Sequence, residues 1–244
     1  MIRVAVSGAL GRMGSEVVRA VTEAEGMEVS VQIEVGDDMG ALLRESQPTV
    51  MVDFTVPSSA MTNIRTALEN KVIPIVGTTG LSPADLDELR GLCEKHQTAC
   101  LIAPNFAIGA ILMMQFAAQA AKYLPDVEII EMHHEKKVDA PSGTAVKTAQ
   151  MIAAARTGIP TAKPENAFES HAGATGAEVD EIPVHSVRLP GFVASQEVIF
   201  GAQGQRLSLR HDSLDRTSFM PGVVLAIRKA ASLTGLVYGL ENLL

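Results

Sequence analysis

Residues 128–145 combine side chains that could bind an anion and supply a proton. Within eighteen positions the chain has His133, His134, Lys137 and the run Ser142 to Thr144. Imidazole groups change protonation near neutral pH, and lysine adds a full positive charge. Together these residue types suit an anionic substrate that must receive a proton.

The elements around this segment would hold those groups in place. The alternation from Glu128 to Met132 predicts the end of a strand, so residues 133–141 are expected to form the loop beyond it. The apolar periodicity after Thr144 predicts a helix to about Arg156. A helix N-terminus carries roughly half a positive charge and several unpaired N–H groups. A carboxylate or phosphate is therefore the expected occupant in front of Ser142.

Each part of the segment has a simpler interpretation. Ser142 alone is more typical of an ordinary helix cap, and the charges from Glu135 to Lys137 are typical of a solvated surface. Adjacent histidines also suggest a metal, with Glu135 or Asp139 as further ligands. In extended chain His133 and His134 point to opposite sides, and no cysteine is near. We therefore predict no metal, and the combination of residues favours a functional site.

The amino terminus carries a second motif. A short apolar strand, Arg3 to Ser7 with its apolar run starting at Ile2, precedes a GxxGxxG turn formed by Gly8, Gly11 and Gly14, and an apolar-periodic helix follows. This order predicts a dinucleotide-binding turn, because glycines let the backbone approach a pyrophosphate at a helix N-terminus. The next strand ends at Glu34, twenty positions after Gly14, where an acid that binds the adenosine ribose is expected.

Three further strands, at about 50–54, 72–76 and 99–103, end in polar or flexible residues. Ligands of open parallel sheets bind at the carboxyl ends of the strands. Phe54 and the turn from Gly77 to Thr79 are therefore candidate walls of a cofactor site. This part of the chain predicts an α/β, Rossmann-like dinucleotide-binding domain.

After residue 106 the alternation of strands and helices changes. A long apolar helix is predicted from Ile111 to Tyr123, and residues 157–181 are polar and predict a loop or a lid with no role that we can assign. Three consecutive antiparallel strands are predicted at 185–189, 196–200 and 205–211. With the strand and crossover helix of residues 128–156, they predict a second, α+β domain on a mixed, largely antiparallel sheet. A last helix is predicted from Pro221 to Ala231.

Composition excludes several classes of protein. The chain has 244 residues and a formal charge of −8, and its basic residues do not gather into one face, so no nucleic-acid partner is expected. The first strand begins at Ile2, leaving no room for a signal peptide, and no uncharged run of 18 apolar residues is present, so we predict a cytoplasmic protein with no membrane partner. Cys93 and Cys100 are expected to be free packing residues.

Segment 128–145 resembles the signature of the 4-hydroxy-tetrahydrodipicolinate reductase (dihydrodipicolinate reductase) family, and the resemblance continues through nearly the whole chain. The matching residues are Glu128, Glu131, His133, Lys137, Asp139, Pro141, Ser142, Gly143, Thr144 and Ala145. The resemblance implies reduction of 4-hydroxy-tetrahydrodipicolinate, via dihydrodipicolinate, to tetrahydrodipicolinate with NADH or NADPH. That reaction belongs to diaminopimelate and lysine biosynthesis.

The resemblance also implies residue roles. His133 is the expected acid, with Lys137 as its partner and charge stabiliser. The residues expected to hold the substrate dicarboxylate are His134, Lys137, Ser142, Gly143, Thr144 and Arg216. Those expected to contact the cofactor are Gly8, Gly11, Arg12, Met13, Glu34, Phe54, Gly77, Thr78, Thr79, Ala103, Asn105 and Phe106. From the sequence alone, Arg216 is more typical of an ordinary surface arginine.

Domain organisation and assembly follow from the same resemblance. It implies a discontinuous dinucleotide-binding domain, residues 1–106 plus 216–244, and a substrate-binding and oligomerisation domain, residues 107–215, in a homotetramer. No metal or flavin is expected.

Cofactor preference follows from one departure from the relatives. Some of them carry an arginine after the ribose-binding acid, where this chain has Val35. We therefore expect NADH to be at least as good as NADPH. Arg12 could still reach a 2′-phosphate or could be an exposed residue at a helix start.

Two other classes share part of the pattern. Diaminopimelate and homoserine dehydrogenases have a similar glycine turn but lack the arrangement from His133 to Ala145. A non-catalytic NAD(H) sensor would need no histidine and lysine beside an anion cradle.

Overall fold

The computed structural model of the protein describes residues 1–162 and 165–244, and within them the chain divides into two compact units. The first unit comprises Met1–Ala107 and Arg216–Leu244, and the second comprises Ile108–Asp215. In the described ranges, no helix is both long and apolar enough to cross a membrane.

Strands and helices alternate through the first 102 residues. They are β1 (Ile2–Ser7), α1 (Gly14–Glu23), β2 (Met27–Ile33), α2 (Met39–Ser46), β3 (Val50–Asp53), α3 (Pro57–Glu69), β4 (Ile73–Val76), α4 (Pro83–His96) and β5 (Cys100–Ile102). All five strands that the sequence predicts here are present, and their ends differ from the predicted ends by at most two residues.

Local sequence explains these elements. Val4, Ala5 and Val6 are fully buried, as expected for a parallel strand covered by helices on both faces. Proline, which is tolerated in the first turn of a helix, begins α3 and α4. A capping box between Ser82 and Asp85 also fixes the start of α4.

The second unit follows Ala107 directly. Its elements are α5 (Ile108–Ala120), β6 (Asp126–His133), α6 (Gly143–Ala155), β7 (Ala177–Val179), β8 (Ile182–Arg188), β9 (Ala194–Ala202) and β10 (Gln205–Ser213). Helix α5 packs against α6. The five strands form one sheet in the order β10-β9-β6-β8-β7.

The pairing of this sheet confirms the mixed, largely antiparallel second domain and corrects one detail. Strands β8 and β9 were expected to be neighbours, but β6 lies between them, parallel to β8 and antiparallel to β9. The crossover helix α6 explains the parallel pair, since parallel strands need a long connection. Only β9 and β10 pair as the sequence predicts.

The polar stretch 157–181 is not entirely a loop. It ends in the short strand β7, which pairs antiparallel with β8. Near its start, Thr161 donates hydrogen bonds from its N–H and its hydroxyl to the Asp126 carboxylate, at 2.6 and 2.8 Å. Positions 163 and 164 of the predicted loop or lid lie outside the described residues.

From residue 216 the chain again belongs to the first unit. It forms a 3₁₀ helix (Arg216–Phe219), α7 (Met220–Lys229), a second 3₁₀ helix (Ala230–Ser232), β11 (Leu236–Tyr238) and a third 3₁₀ helix (Leu240–Leu243). The sheet of this unit has the order β11-β5-β4-β3-β1-β2 with every pair parallel. Strand β11 was not predicted, because three residues show no readable periodicity.

The sheet and its helices confirm the predicted α/β, Rossmann-like fold. Cys93 lies in α4 and Cys100 begins β5, and both are buried, free cysteines. This agrees with their expected role as packing residues.

Candidate active site

The candidate proton donor lies at the end of the central strand of the second sheet. His133 is the last residue of β6, not the first of the following loop as expected. Residues two apart on a strand share a face, and His133 Nδ1 lies 2.5 Å from Oε2 of Glu131. The His133 side chain is 15% exposed, so its ring is held by the protein while one side can be reached.

Glu131 is completely buried, and it is paired with an arginine that the sequence analysis did not single out. Arg188 donates from Nη2 to Oε1 at 2.7 Å and from Nη1 to Oε2 at 2.9 Å. Such a two-point contact matches the planar guanidinium to the carboxylate. The buried charge is therefore compensated within the sheet.

This environment sets the charge of Glu131. Burial alone would raise the pKa of the Glu131 carboxyl, because it disfavours the ionised form. Hydrogen bonds from His133, Arg188 and Ser186, together with the charge of His133, outweigh burial and hold this pKa at about 2. Glu131 is an anion throughout the physiological pH range.

The loop after β6 contains the expected lysine. Lys137 Nζ donates to Asp139 Oδ1 at 2.7 Å, and its side chain is 22% exposed. The lysine holds the pKa of the Asp139 carboxyl below its usual value. His134 is exposed, and its Nδ1 accepts a hydrogen bond from the Lys136 N–H at 3.2 Å. His134 therefore lies at the surface, and Lys137 is partly exposed, in the loop that follows β6.

The start of α6 is where the anion cradle is expected, and Ser142 there is turned inward. The Ser142 hydroxyl caps the helix by accepting from the Ala145 N–H at 3.2 Å, and the Ser142 N–H donates to Glu131 Oε1 at 3.2 Å. The first N–H groups of a helix have no acceptor inside it. Those of Gly143, which is exposed, and Thr144, which is partly exposed, are the ones left to face a ligand.

Six of the seven candidate catalytic and substrate residues thus come from one continuous stretch of the second unit, namely His133, His134, Lys137, Ser142, Gly143 and Thr144. The seventh, Arg216, begins the 3₁₀ helix with which the chain returns to the first unit, and it is exposed.

The glycine turn of the first unit fits a dinucleotide. Gly8 has a φ of +75°, which side-chain-bearing residues rarely adopt. A Cβ on Gly14 would lie 1.9 Å from the Gly8 carbonyl oxygen, so only glycine permits α1 to start this close to β1. This close approach exposes backbone N–H groups at a helix N-terminus, where a pyrophosphate binds.

The expected ribose-binding acid contacts the same turn. Glu34 follows β2 directly, and its Oε1 accepts a hydrogen bond from the Leu10 N–H at 2.6 Å. Arg12 and Val35 are exposed, and Met13 is partly exposed. The carboxylate and the glycine turn therefore lie within one small region.

A buried aspartate organises the other strand ends of this unit. Asp53, at the end of β3, accepts hydrogen bonds from the Thr55 N–H at 3.0 Å, the Thr78 hydroxyl at 2.8 Å and the Asn63 amide at 2.7 Å. Its side chain has no exposed area. Asp53 thereby connects the end of β3 to α3 and to the turn after β4.

The aromatic candidates lie next to that turn. The rings of Phe54 and Phe106 are 5.5 Å apart between centroids and tilted by 56°. A Cβ on Gly77 would come within 2.0 Å of the Phe54 ring, so glycine makes room for the aromatic side chain. Ala103 and Phe106 are buried, Asn105 and Phe54 are partly buried, and Thr79 is exposed.

Sequence reasoning missed Arg188 and the Asp53 network. The sequence did contain a signal for a cationic partner. Glu131 lies on the same face of β6 as the buried Ile129, and a carboxylate on a buried face needs a positive charge beside it. Which arginine supplies the charge depends on how the strands pair. Within the described ranges, no group of three or more His, Cys, Asp or Glu residues could hold a metal ion.

Comparison with protein families gives two matches that together span nearly the whole chain. Residues 2–106 match the family described as dihydrodipicolinate reductase, N-terminus. Residues 109–244 match dihydrodipicolinate reductase, C-terminus.

Individual relatives agree with the family matches. The chain is 51% identical over 263 residues to the 4-hydroxy-tetrahydrodipicolinate reductase of Moorella thermoacetica, and 50% identical over 264 residues to that of Desulfitobacterium hafniense. In both cases the alignment covers 100% of this chain and 98% of the relative. A solved dipicolinate-bound dihydrodipicolinate reductase from Paenisporosarcina sp. TG-14 is 44% identical, with a TM-score of 0.89 and full coverage of both chains. These matches confirm the resemblance indicated by residues 128–145.

Proposed function

The chain belongs to the dihydrodipicolinate reductase family, and we propose that it reduces 4-hydroxy-tetrahydrodipicolinate, via dihydrodipicolinate, to tetrahydrodipicolinate with NAD(P)H. This oxidoreductase reaction is a step of diaminopimelate and lysine biosynthesis. The observation that carries the proposal is the family match over residues 2–106 and 109–244, joined by relatives about half identical over their full length.

The second unit is proposed to bind the substrate through its two carboxylates. The dipicolinate in the related solved structure is a ring dicarboxylate of the same kind. The N–H groups at the start of α6 and the ammonium of Lys137 are suited to carboxylate oxygens. His134 completes the proposed set in the second unit. Arg216, which belongs to the first unit, is proposed as a further ligand, because a guanidinium can bind a carboxylate at two points.

His133 is proposed as the proton donor. Its Nδ1 is directed at Glu131, so Nε2 is the nitrogen left to serve the substrate. A dihydronicotinamide held by the cofactor residues would supply a hydride to a carbon of the unsaturated ring, which would be reduced as the nicotinamide is oxidised. His133 then gives its Nε2 proton to the electron pair that this addition places on the substrate. Lys137 stabilises the negative charge while it develops.

The first unit is proposed to bind the cofactor. The glycine turn, with Gly8, Gly11, Arg12 and Met13, would receive the pyrophosphate, and Glu34 would accept hydrogen bonds from the adenosine ribose. The strand ends would hold the nicotinamide half, through the residues Phe54, Gly77, Thr78, Thr79, Ala103, Asn105 and Phe106.

We expect kcat/KM for NADH to equal or exceed that for NADPH. The Glu34 carboxylate lies beside the glycine turn, where the adenosine ribose is proposed to bind, and would repel a 2′-phosphate, while the fully exposed Val35 offers no positive charge to offset it. Steady-state rates with both cofactors at saturating substrate measure the ratio. A kcat/KM tenfold higher for NADPH would contradict the assignment.

A single substitution tests the physical reason for this preference. Val35→Arg should move the ratio toward NADPH by about tenfold, because it adds a guanidinium beside the 2′ position. Glu28→Arg is the control, since Glu28 lies on β2, the strand that precedes Val35, and its side chain is 42% exposed and paired with Arg3. That control should leave the ratio unchanged.

A coupled assay tests the function itself. The substrate is generated from pyruvate and aspartate semialdehyde by its synthase, the protein is added, and cofactor oxidation is followed at 340 nm. Oxidation that depends on the synthase is the expected result. If folded protein that binds NADH oxidises neither cofactor, the reductase is excluded and a non-catalytic NAD(H) sensor becomes the better explanation.

We also propose a cytoplasmic homotetramer assembled through the second unit. Support comes from β10, a nine-residue strand at the edge of its sheet, much of whose side-chain surface is exposed. Such an edge is suited to pairing with another chain.

A further inference from the structure

One buried carboxylate, that of Glu131, contacts both the proposed proton donor and the start of the proposed anion cradle. Glu131 Oε2 lies 2.5 Å from His133 Nδ1, and Glu131 Oε1 accepts a hydrogen bond from the Ser142 N–H at 3.2 Å. His133 is the proposed acid, and Ser142 begins the proposed anion cradle. Glu131 has no exposed area, so it supports both groups from within the protein without being able to touch a ligand.

Arg188 holds that carboxylate in a defined orientation. The register of β6 and β8 places Arg188 directly beside His133. Besides its two contacts with Glu131, the guanidinium donates from Nη2 to the Asp139 carbonyl at 2.6 Å, in the loop that carries Lys137. Because both Glu131 oxygens are bound by Arg188, the carboxylate cannot rotate away from His133.

We propose that Glu131, clamped by Arg188, is a positioning residue that holds the Nδ1 proton of His133, so that the imidazolium donates its Nε2 proton to the substrate and the ring is left as the Nδ1–H tautomer. This inference rests on the proposed function of His133. It adds that one carboxylate sets the tautomer of the acid and the position of the anion cradle together.

A carboxylate in this position suits both states of a proton donor. Before transfer, Glu131 accepts from Nδ1–H of the imidazolium and balances its charge. After transfer, it accepts from Nδ1–H of the neutral ring. The ring can then be reprotonated on Nε2 without rotating. In the Ser-His-Asp triad, an amide in place of the supporting carboxylate gives the wrong tautomer and costs about 10⁴-fold in rate.

Glu131→Gln is the informative variant, because it keeps the shape and removes the acceptor. Oε1 receives hydrogen bonds from Arg188 and Ser142, so the single oxygen of the amide should occupy that position. The NH₂ group then faces His133, and Nδ1 must accept instead of donate. The neutral ring of His133 should switch to the Nε2–H tautomer, and the imidazolium, which is the form that donates to the substrate, loses the acceptor for its Nδ1 proton.

The tautomer is measured from the ¹⁵N resonances of the His133 ring in the full-length protein at neutral pH. We expect the Nδ1–H form in wild type and the Nε2–H form in Glu131→Gln, with kcat lowered by about tenfold or more and KM for NADH unchanged. Glu128→Gln is the control. Glu128 lies on the same strand and also binds a histidine, His185 Nε2 at 2.9 Å, but at the surface. It should retain wild-type kcat and the wild-type His133 tautomer.

A second variant tests the same inference if Glu131→Gln is too unstable to fold. The double substitution Glu131→Leu with Arg188→Met removes the buried pair as a whole, which is often neutral or stabilising. It also leaves Nδ1 without the carboxylate, so the same loss of kcat is expected. Wild-type kcat in a folded Glu131→Gln or double variant would overturn the inference, and so would an unchanged tautomer in Glu131→Gln. Absence of activity in wild type would instead overturn the proposed function, while the tautomer measurement would still test the geometry.

Discussion

Replacing His133 with glutamine is expected to lower kcat by about 10²- to 10⁴-fold, the usual effect of losing a general acid. Glutamine can still donate a hydrogen bond at this position, but it cannot transfer a proton. KM for NADH should stay within about twofold of wild type, because the proposed cofactor residues belong to the other unit. Initial rates in the coupled assay, over a series of NADH concentrations, separate these two parameters.

His96→Gln is the matched control for this measurement. His96 ends α4, far along the chain from segment 128–145, and no proposed role involves it. Its kcat should equal that of wild type. Near wild-type turnover of His133→Gln would show that another group donates the proton, and Lys137 would then be the first candidate.

Replacing Glu131 with glutamine is expected to reduce the free energy of unfolding by about 3 kcal/mol at pH 7, and the loss should shrink in acid. The Glu131 carboxyl has a pKa of about 2 in the folded protein, against an ordinary value of 4.5. Because the folded-state value is the lower one, the ionised form stabilises the folded protein above about pH 5, and this stabilisation is lost as the pH falls toward 2. The difference in free energy of unfolding between wild type and Glu131→Gln should therefore decrease by about 2 kcal/mol between pH 7 and pH 3.

Urea unfolding at a series of pH values measures that gap. Far-ultraviolet circular dichroism is the suitable signal, because the chain contains no tryptophan. Glu88→Gln is the control: Glu88 pairs with Arg65 at 2.6 Å, but both side chains are more than 40% exposed. Exposed pairs contribute about 1 kcal/mol or less, so this variant should stay close to wild type. A gap for Glu131→Gln that is independent of pH would mean that the Glu131 carboxyl is not held ionised by its partners.

Both effects have one structural origin. The residue proposed to do chemistry, His133, is supported by a buried anion whose counter-charge comes from another strand. Replacing the histidine with glutamine should affect turnover more than stability, because the glutamine amide can still donate a hydrogen bond to Glu131. Removing the carboxylate should affect both, because the same hydrogen bonds that orient the ring also compensate a buried charge.

Features that are local in the chain could be predicted from the sequence. The glycine turn after β1, the acid after β2 and the cradle at the start of α6 each depend on residues within one strand–turn–helix unit. Their backbone requirements restrict which residues can occupy them, so the residue types themselves carry the information. The same holds for the first five strands, which were predicted from short apolar runs separated by helices.

Features that join distant parts of the chain could not be predicted in this way. Arg188 is 57 residues from Glu131, and Thr78 is 25 residues from Asp53. The insertion of β6 between β8 and β9 is likewise a long-range choice. Several arginines and threonines could have filled these places, and only the pairing of strands selects among them.

By itself, then, the sequence determined the two kinds of domain, the family, the glycine turn and the segment from His133 to Thr144 that carries the proposed chemistry. The tertiary structure alone decided that His133 ends a strand, that its Nδ1 faces a buried carboxylate, and that Arg188 compensates that charge. The physical reason is that backbone conformation and hydrophobic periodicity are set by neighbours in the chain. The partner of a buried charge is set by which strands lie side by side.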